Sequence, residues 1–186
     1  MFGWPTYSPE ERIDCFVQSD LLVQFDTHEI KNAGKVTFAT YKDRSDDIFD
    51  RVRRPSALLD PSCEYILARL VPGDELVDVG ANIGIFALPA ARKRCRTVAV
   101  EALPSNFALL TAAIRKNDLE NVVPVNAAAW DRSATVLVAG SGAWGTVQSE
   151  GQRVLAIRLD DVISLHNFNR ITVIKLDIEG SELYRG

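Results

Sequence analysis

The chain has 186 residues, a net charge of −4, 47% hydrophobic and 25% charged residues. That composition fits one main globular domain and excludes a disordered chain. Acids and bases are interspersed with no basic excess, which predicts that nucleic acid is not a partner. The longest uncharged run, Ser133–Ser149, carries three glycines and several polar residues, so no membrane span is expected. MFGWPTYSPEERID lacks a basic region followed by an apolar stretch, which predicts a cytoplasmic address. Cys15, Cys63 and Cys95 are far apart and only His28 and His166 could assist them, so reduced thiols are expected, and neither a disulfide framework nor a metal site.

The pattern changes near residue 60. Residues 1–60 read as a β-rich extension, with strands at Leu21–Phe25 and Lys35–Tyr41 around the turn THEIKNAG. The mixed charges of Lys42–Pro55 nearly cancel and read as a solvated face. Residues 61–186 form the second unit. Asp60–Pro61 is a helix start, because a carboxylate accepts from an orphan amide and proline suits the first helical position. The helix is predicted to run to about Leu70. VPGDE then breaks the chain.

From there the reading is βαβ: strand Leu76–Val79, helix Ile83–Arg94, strand Thr97–Val100, helix Ser105–Asn117 and strand Val122–Asn126. Continuous apolar strands alternating with helices predict a parallel sheet covered on both faces, an α/β fold of Rossmann-like type. ATVLVAG and RVLAIRL alternate and read as an inserted antiparallel pair. ITVIKLDIEG, Ile171–Gly180, reads as another buried strand ending in acids.

Ligands of such sheets sit at the carboxyl ends of strands. In VDVGANIGIF, Asp78 closes a strand, Gly80 and Gly84 bracket a turn, and Asn82 precedes a helix. Glu101 ends the next strand 23 residues later, close to the spacing of about 20 at which an acid accepts from ribose hydroxyls. GANIGIF lacks the GxGxxG pattern that admits a pyrophosphate, so a ribose ligand without phosphates fits better. In KLDIEGSE, Asp177 and Glu179 point to one face, with Lys175 beside them. Either acid suits a base that removes a hydroxyl proton. Trp144, on a glycine-rich stretch, reads equally as a sugar-stacking aromatic or as a hairpin tip.

The succession VDVGANIGIFALPAA, VAVEALPSNFALLTAAIRKN, VVPVNAAAW, RLDDVI and ITVIKLDIEGSE resembles the FkbM family of S-adenosylmethionine-dependent methyltransferases, over Gly73 to Gly186. The resemblance implies a class I methyltransferase fold that transfers a methyl group to a hydroxyl oxygen, on a sugar, glycolipid or natural product. It implies that Asp78, Gly80, Asn82 and Gly84 hold the methionine part of the cofactor and that Glu101 holds its ribose. Asn126, Ala127 and Ala128 fall at the adenine pocket, with Leu103 and Trp130 positioned to sandwich the base. Asp177 and Glu179 take the catalytic role, and a small-molecule or glycan hydroxyl is the expected partner. Against the family's seven strands, the chain stops after the fourth. This predicts either a C-terminally truncated chain or a sheet edge covered by the N-terminal strands or a second subunit, and an isolated chain that forms a homodimer through the open edge or is poorly soluble. A nicotinamide-dependent oxidoreductase and a non-catalytic nucleoside-binding remnant stand as alternatives.

Overall fold

The computed structural model describes residues 23–45, 47–53, 58–141, 144–148 and 150–178, the stretch from 141 to 148 by its backbone alone. Its centre is a four-stranded parallel sheet. In chain order its strands are β3 (Glu75–Val79), β4 (Arg96–Glu101), β5 (Val122–Asn126) and β10 (Ile171–Leu176). In space they run β10-β3-β4-β5. The first three strands step outward in one direction through helices α3 (Ala87–Arg92) and α4 (Pro104–Lys116), and β10 then returns to the other side of β3. The order therefore reverses between β3 and β10, where a crevice opens at the carboxyl ends of the strands.

Alternation along the strands divides the core. Leu76 and Ala99 face a cluster that contains Leu88 of α3 and Leu109 and Leu110 of α4. Val77, Val79, Val98 and Val100 face the opposite side, where Ile157, Phe168 and Val162 of α5 (Leu159–Leu165) cover them. By this parity Asp78 shares the face of Leu76 and Lys175 lies beside it, since the two are register partners.

The hairpin of β1 (Val23–Ile30) and β2 (Gly34–Tyr41) packs its apolar face, with Ile30, Val36 and Phe38, into the first cluster. Asn117, at the end of α4, fastens it: its side chain accepts from Thr37 N at 2.8 Å and donates to Thr37 O at 2.6 Å and to Ala113 O at 2.7 Å. The expected turn THEIKNAG shrinks to the residues between the strands. Thr27–Ile30 stays in β1 because Ile30 is buried and Thr27 pairs with Thr37 across the ladder.

Helix α1 (Asp47–Arg53) corrects the reading of Lys42–Pro55 as a solvated face. Phe49 and Val52 recur at helical spacing and are buried in the core. Helix α2 (Pro61–Arg69) starts as expected: Asp60 accepts from Ser62 N at 2.8 Å and Cys63 N at 2.9 Å. Helix α3 is shorter than predicted. The residues ahead of it form a turn in which Asn82 and Gly84 take left-handed backbone angles (φ 53° and 92°) that a helix forbids.

The inserted strands form a second sheet, β6-β9-β7-β8. The predicted antiparallel pair is β7 (Ala134–Ser141) with β9 (Gln152–Ile157); β8 (Trp144–Gln148) and the two-residue β6 (Ala128–Ala129) complete it. Trp144 opens β8, and its side chain lies outside the described residues. Strand β10 is less buried than ITVIKLDIEG predicts. Among the described residues it pairs on one side only, and Leu176 is 62% exposed. No helix among the described residues is long and apolar enough to cross a membrane.

Candidate active site

A cavity of about 320 Å³ occupies the crevice between β3 and β10 and extends over the end of β4. Asp78, Gly80, Asn82, Glu101, Leu103, Ala127 and Asp177 all line it. Gly84 and Asn126 do not line it. Glu179 lies outside the described residues.

Asp78 has its side chain 1% exposed. Its Oδ1 meets Lys175 Nζ at 3.2 Å, while its Oδ2 is buried without a hydrogen-bond partner. Burial pushes the Asp78 carboxyl upward, and the Lys175 charge opposes that shift. Lys175 also reaches Asp177 Oδ2 at 3.3 Å, so one half-buried ammonium bridges a buried and an exposed carboxylate. Burial alone would lower the Lys175 pKa; Asp78 and Asp177 outweigh it and the net shift is upward. Sequence spacing placed Lys175 beside Asp177 but missed Asp78 as its partner, because that contact depends on the return of β10 to β3.

Glu101 is held on both oxygens. Oε2 accepts from Asn82 N and Oε1 from Leu103 N, each at 2.8 Å. A carboxylate oxygen has two acceptor sites, so each can still accept from a ribose hydroxyl. Burial raises the Glu101 pKa to about 7, against the lowering effect of the two amides.

The two glycines have intramolecular reasons. A Cβ on Gly80 would stand 1.9 Å from Asp177 O, because the end of β10 crosses over it. One on Gly84 would meet Leu88 and Leu110 within 2.8 Å, inside the core. Both adopt positive φ. Close packing by the protein's own atoms accounts for both glycines, rather than the approach of a ligand alone.

Asn126 acts from behind the wall. Its side chain donates to Glu101 O at 2.9 Å and Ala102 O at 3.2 Å, which fixes the turn that carries Leu103 into the cavity. Leu103 is buried against Val138 and Ala128. Trp130 lies off the cavity, its amide donating to Ile157 O at 2.8 Å. His28 and His166 are half-buried and away from the cavity. Cys63 and Cys95 are free and buried, and burial pushes their thiols up to about 12 and about 11. Sequence reasoning also missed Asp47, Ile48 and Arg51 of α1, the Asp60 cap and Cys63 of α2, all of which line the cavity. The pairing of the Asp60 cap with its helix was legible; its place on the cavity wall was not.

The chain matches known proteins over part of its length. The methyltransferase FkbM domain matches residues 78–184. A tRNA (guanine(37)-N(1))-methyltransferase of Drosophila pseudoobscura pseudoobscura is 43% identical over 54 residues, 29% of this chain and 12% of that protein. The Danio rerio enzyme of the same name is 37% identical over 60 residues, 32% of this chain. The chain thus covers only 12% of the length of either relative. Among solved structures, a T. thermophilus 16S rRNA methyltransferase (RsmC) in complex with AdoMet and guanosine aligns with TM-score 0.41 and 22% identity, over 56% of this chain and 27% of that one. M. jannaschii TYW2 in complex with AdoMet aligns with TM-score 0.35 and 24% identity, over 49% and 39%.

These relatives overturn the exclusion of nucleic acid, and with it the partner expectation drawn from charge. Net charge sums over the whole chain, yet Asp47, Asp60, Asp78, Glu101 and Asp177 gather at one cavity and carry no information about phosphate contacts elsewhere. A segment akin to this one serves enzymes named for tRNA. The match extends from Asp78, within β3, to beyond Asp177, which follows β10, over more than half the sequence. On that ground the chain belongs to the FkbM methyltransferase family, whose cofactor is S-adenosylmethionine.

Proposed function

We propose that the cavity binds S-adenosylmethionine and that the chain forms the cofactor-binding part of a methyltransferase acting on a hydroxyl of a sugar, glycolipid or natural product. The observation that carries the reading is Asp78 Oδ2, a buried carboxylate oxygen without a partner on the cavity wall. Such an atom is costly unless a ligand supplies a donor, and the cofactor's ammonium group is one. Glu101, fixed by two amides, takes the ribose hydroxyls, and Leu103 and Ala127 flank the base. Five acids against Arg51 and Lys175 on the same wall make the cavity electronegative, which suits a cationic ligand.

Bound there, the cofactor supplies a methyl group on a positively charged sulfur. The protein's share is alignment and proton removal. Asp177, 63% exposed at the cavity mouth, is placed to accept the proton of an incoming hydroxyl, and Lys175 orients it. Asp78 and Glu101 act by holding the amino-acid end and the ribose of the cofactor.

A second reading, an RNA base as acceptor, is favoured by the tRNA methyltransferases among the relatives. Titration calorimetry of the chain with S-adenosylhomocysteine and with NAD tests the cofactor. Binding of the first alone is expected; binding of NAD alone, or of neither, overturns the proposal. Transfer of labelled methyl groups to RNA rather than to hydroxylated glycans would select the second reading.

A further inference from the structure

We infer that ligand binding at this cavity is coupled to proton release: in the unliganded protein Asp78 and Glu101 hold one proton between them, and the cofactor's ammonium and ribose take its place. The inference rests on reading the cavity as the S-adenosylmethionine site.

The charges on the wall do not balance. The Asp78 side chain is 1% exposed and Glu101 is 6% exposed, and both line the cavity. Two ionised carboxylates withdrawn from water call for two cations. Lys175 answers Asp78 Oδ1 at 3.2 Å and is drawn on as well by Asp177 Oδ2 at 3.3 Å. Asp47, Arg51 and Asp60 line the same cavity from α1 and the start of α2, two acids to one base, so they bring no surplus of positive charge. The other groups that bear on the pair are neutral: the Cys63 thiol, the Ala87 amide facing Asp78, and the Asn82 and Leu103 amides on Glu101. One carboxylate is left over, and a proton neutralises it, as happens when two acids share a site.

Hydrogen bonding makes that proton compete with the ligand. Glu101 accepts one amide on each oxygen, from Asn82 and Leu103, both at 2.8 Å. Each oxygen keeps one acceptor site, and a proton there takes the position that a ribose hydroxyl would use. Asp78 Oδ2 has no partner, so an incoming ammonium can supply the positive charge that the proton supplied. Burial lifts the Asp78 carboxyl and lifts Glu101 to about 7, with the Asp78 charge adding to the second shift and Lys175 opposing both. The exchange therefore falls in the neutral range. On binding, the O–H bond of the carboxyl breaks, its electron pair stays on oxygen and the proton passes to solvent. By linkage, affinity rises with pH up to about 7 and is level above, where no proton remains to be displaced.

The test is titration calorimetry of the whole chain with S-adenosylhomocysteine, in two buffers of different ionisation enthalpy, at pH 6 and at pH 8. The buffer dependence of the heat counts the protons. Release of roughly one proton per ligand is expected at pH 6 and close to none at pH 8, with affinity roughly 10-fold weaker at the lower pH. Glu101→Gln, which keeps the shape and cannot ionise, is expected to bind more weakly, to release no proton and to lose the pH dependence. Heats at pH 6 that do not change with the buffer would overturn the inference, as would proton uptake. Undiminished proton release by Glu101→Gln would overturn it too. The wild-type count decides by itself where the variant binds too weakly to titrate. A wild-type chain that shows no binding at either pH would instead remove the cofactor reading on which the inference rests.

Discussion

The amide of Asn82 donates to Glu101 Oε2 at 2.8 Å, tying the turn after β3 to the end of β4. The carboxyl that makes this tie is buried and its pKa is raised from 4.5 to about 7. A raised acid binds more protons folded than unfolded between those two values, so its contribution to stability declines as pH rises from 4.5 to 7 and is level above. The whole effect is on the order of 3 kcal/mol. Glu101→Gln cannot titrate and should lack this slope. Urea unfolding of both proteins at pH 5 and pH 8 checks it, and parallel stabilities at the two pH values would contradict it.

Gly80 and Gly73 both adopt positive φ, 76° and 92°, but only Gly80 has backbone where a Cβ would go. Gly73→Ala should cost about 1 kcal/mol for its backbone angle alone. Gly80→Ala should cost roughly 3 kcal/mol or more, because the end of β10 must move away from β3. Thermal unfolding of the pair measures the difference. Equal losses would show that Asp177 does not cross over Gly80.

Lys175→Met should destabilise the chain by roughly 3 to 5 kcal/mol, because it leaves the buried Asp78 carboxylate without its counter-ion. Adding Asp78→Asn should recover most of that loss. Asp177→Asn, at an exposed position, should cost under about 1 kcal/mol. A double-mutant cycle on Lys175 and Asp78 that shows no coupling would refute the bridge.

Asn117→Ala should cost about 2 kcal/mol, since it leaves the amide and carbonyl of Thr37 without their partners at the docked side of β2. Hydrogen exchange at the Thr37 amide should rise well above that of its neighbours across the hairpin. Unchanged exchange would mean that the hairpin is held by its apolar face alone.

The parallel sheet was legible because its inner strands are buried on both faces and so appear as largely apolar runs, as in Val98–Val100 and in Leu76–Val79, which only Asp78 interrupts. The positions of Asp78 and Glu101 at strand ends followed from the same pattern. What stayed hidden depended on distant contacts. Helix α1 escaped notice because Asp47, Asp50, Arg51 and Arg53 mask the spacing of Phe49 and Val52. The start of α3 was placed too early because Ile83 and Phe86 are buried without being helical, in a turn set by Asn82 and Gly84. The bridge from Lys175 to Asp78 joins residues 97 positions apart, beyond the reach of any local rule.

That separation also orders events during synthesis. Strand β10 follows every other described strand, so a nascent chain ending before Ile171 can assemble β3, β4 and β5 with Glu101 in place, yet it has no Lys175 and no roof over Gly80. Asp78 would sit at an open sheet edge until then, free to stay hydrated or protonated. Pairing so distant in sequence is slow, because loop closure precedes any gain from contact. The cavity between β3 and β10 is therefore completed only once β10 has docked, and a ligand that needs both strands would capture only chains that have passed that step.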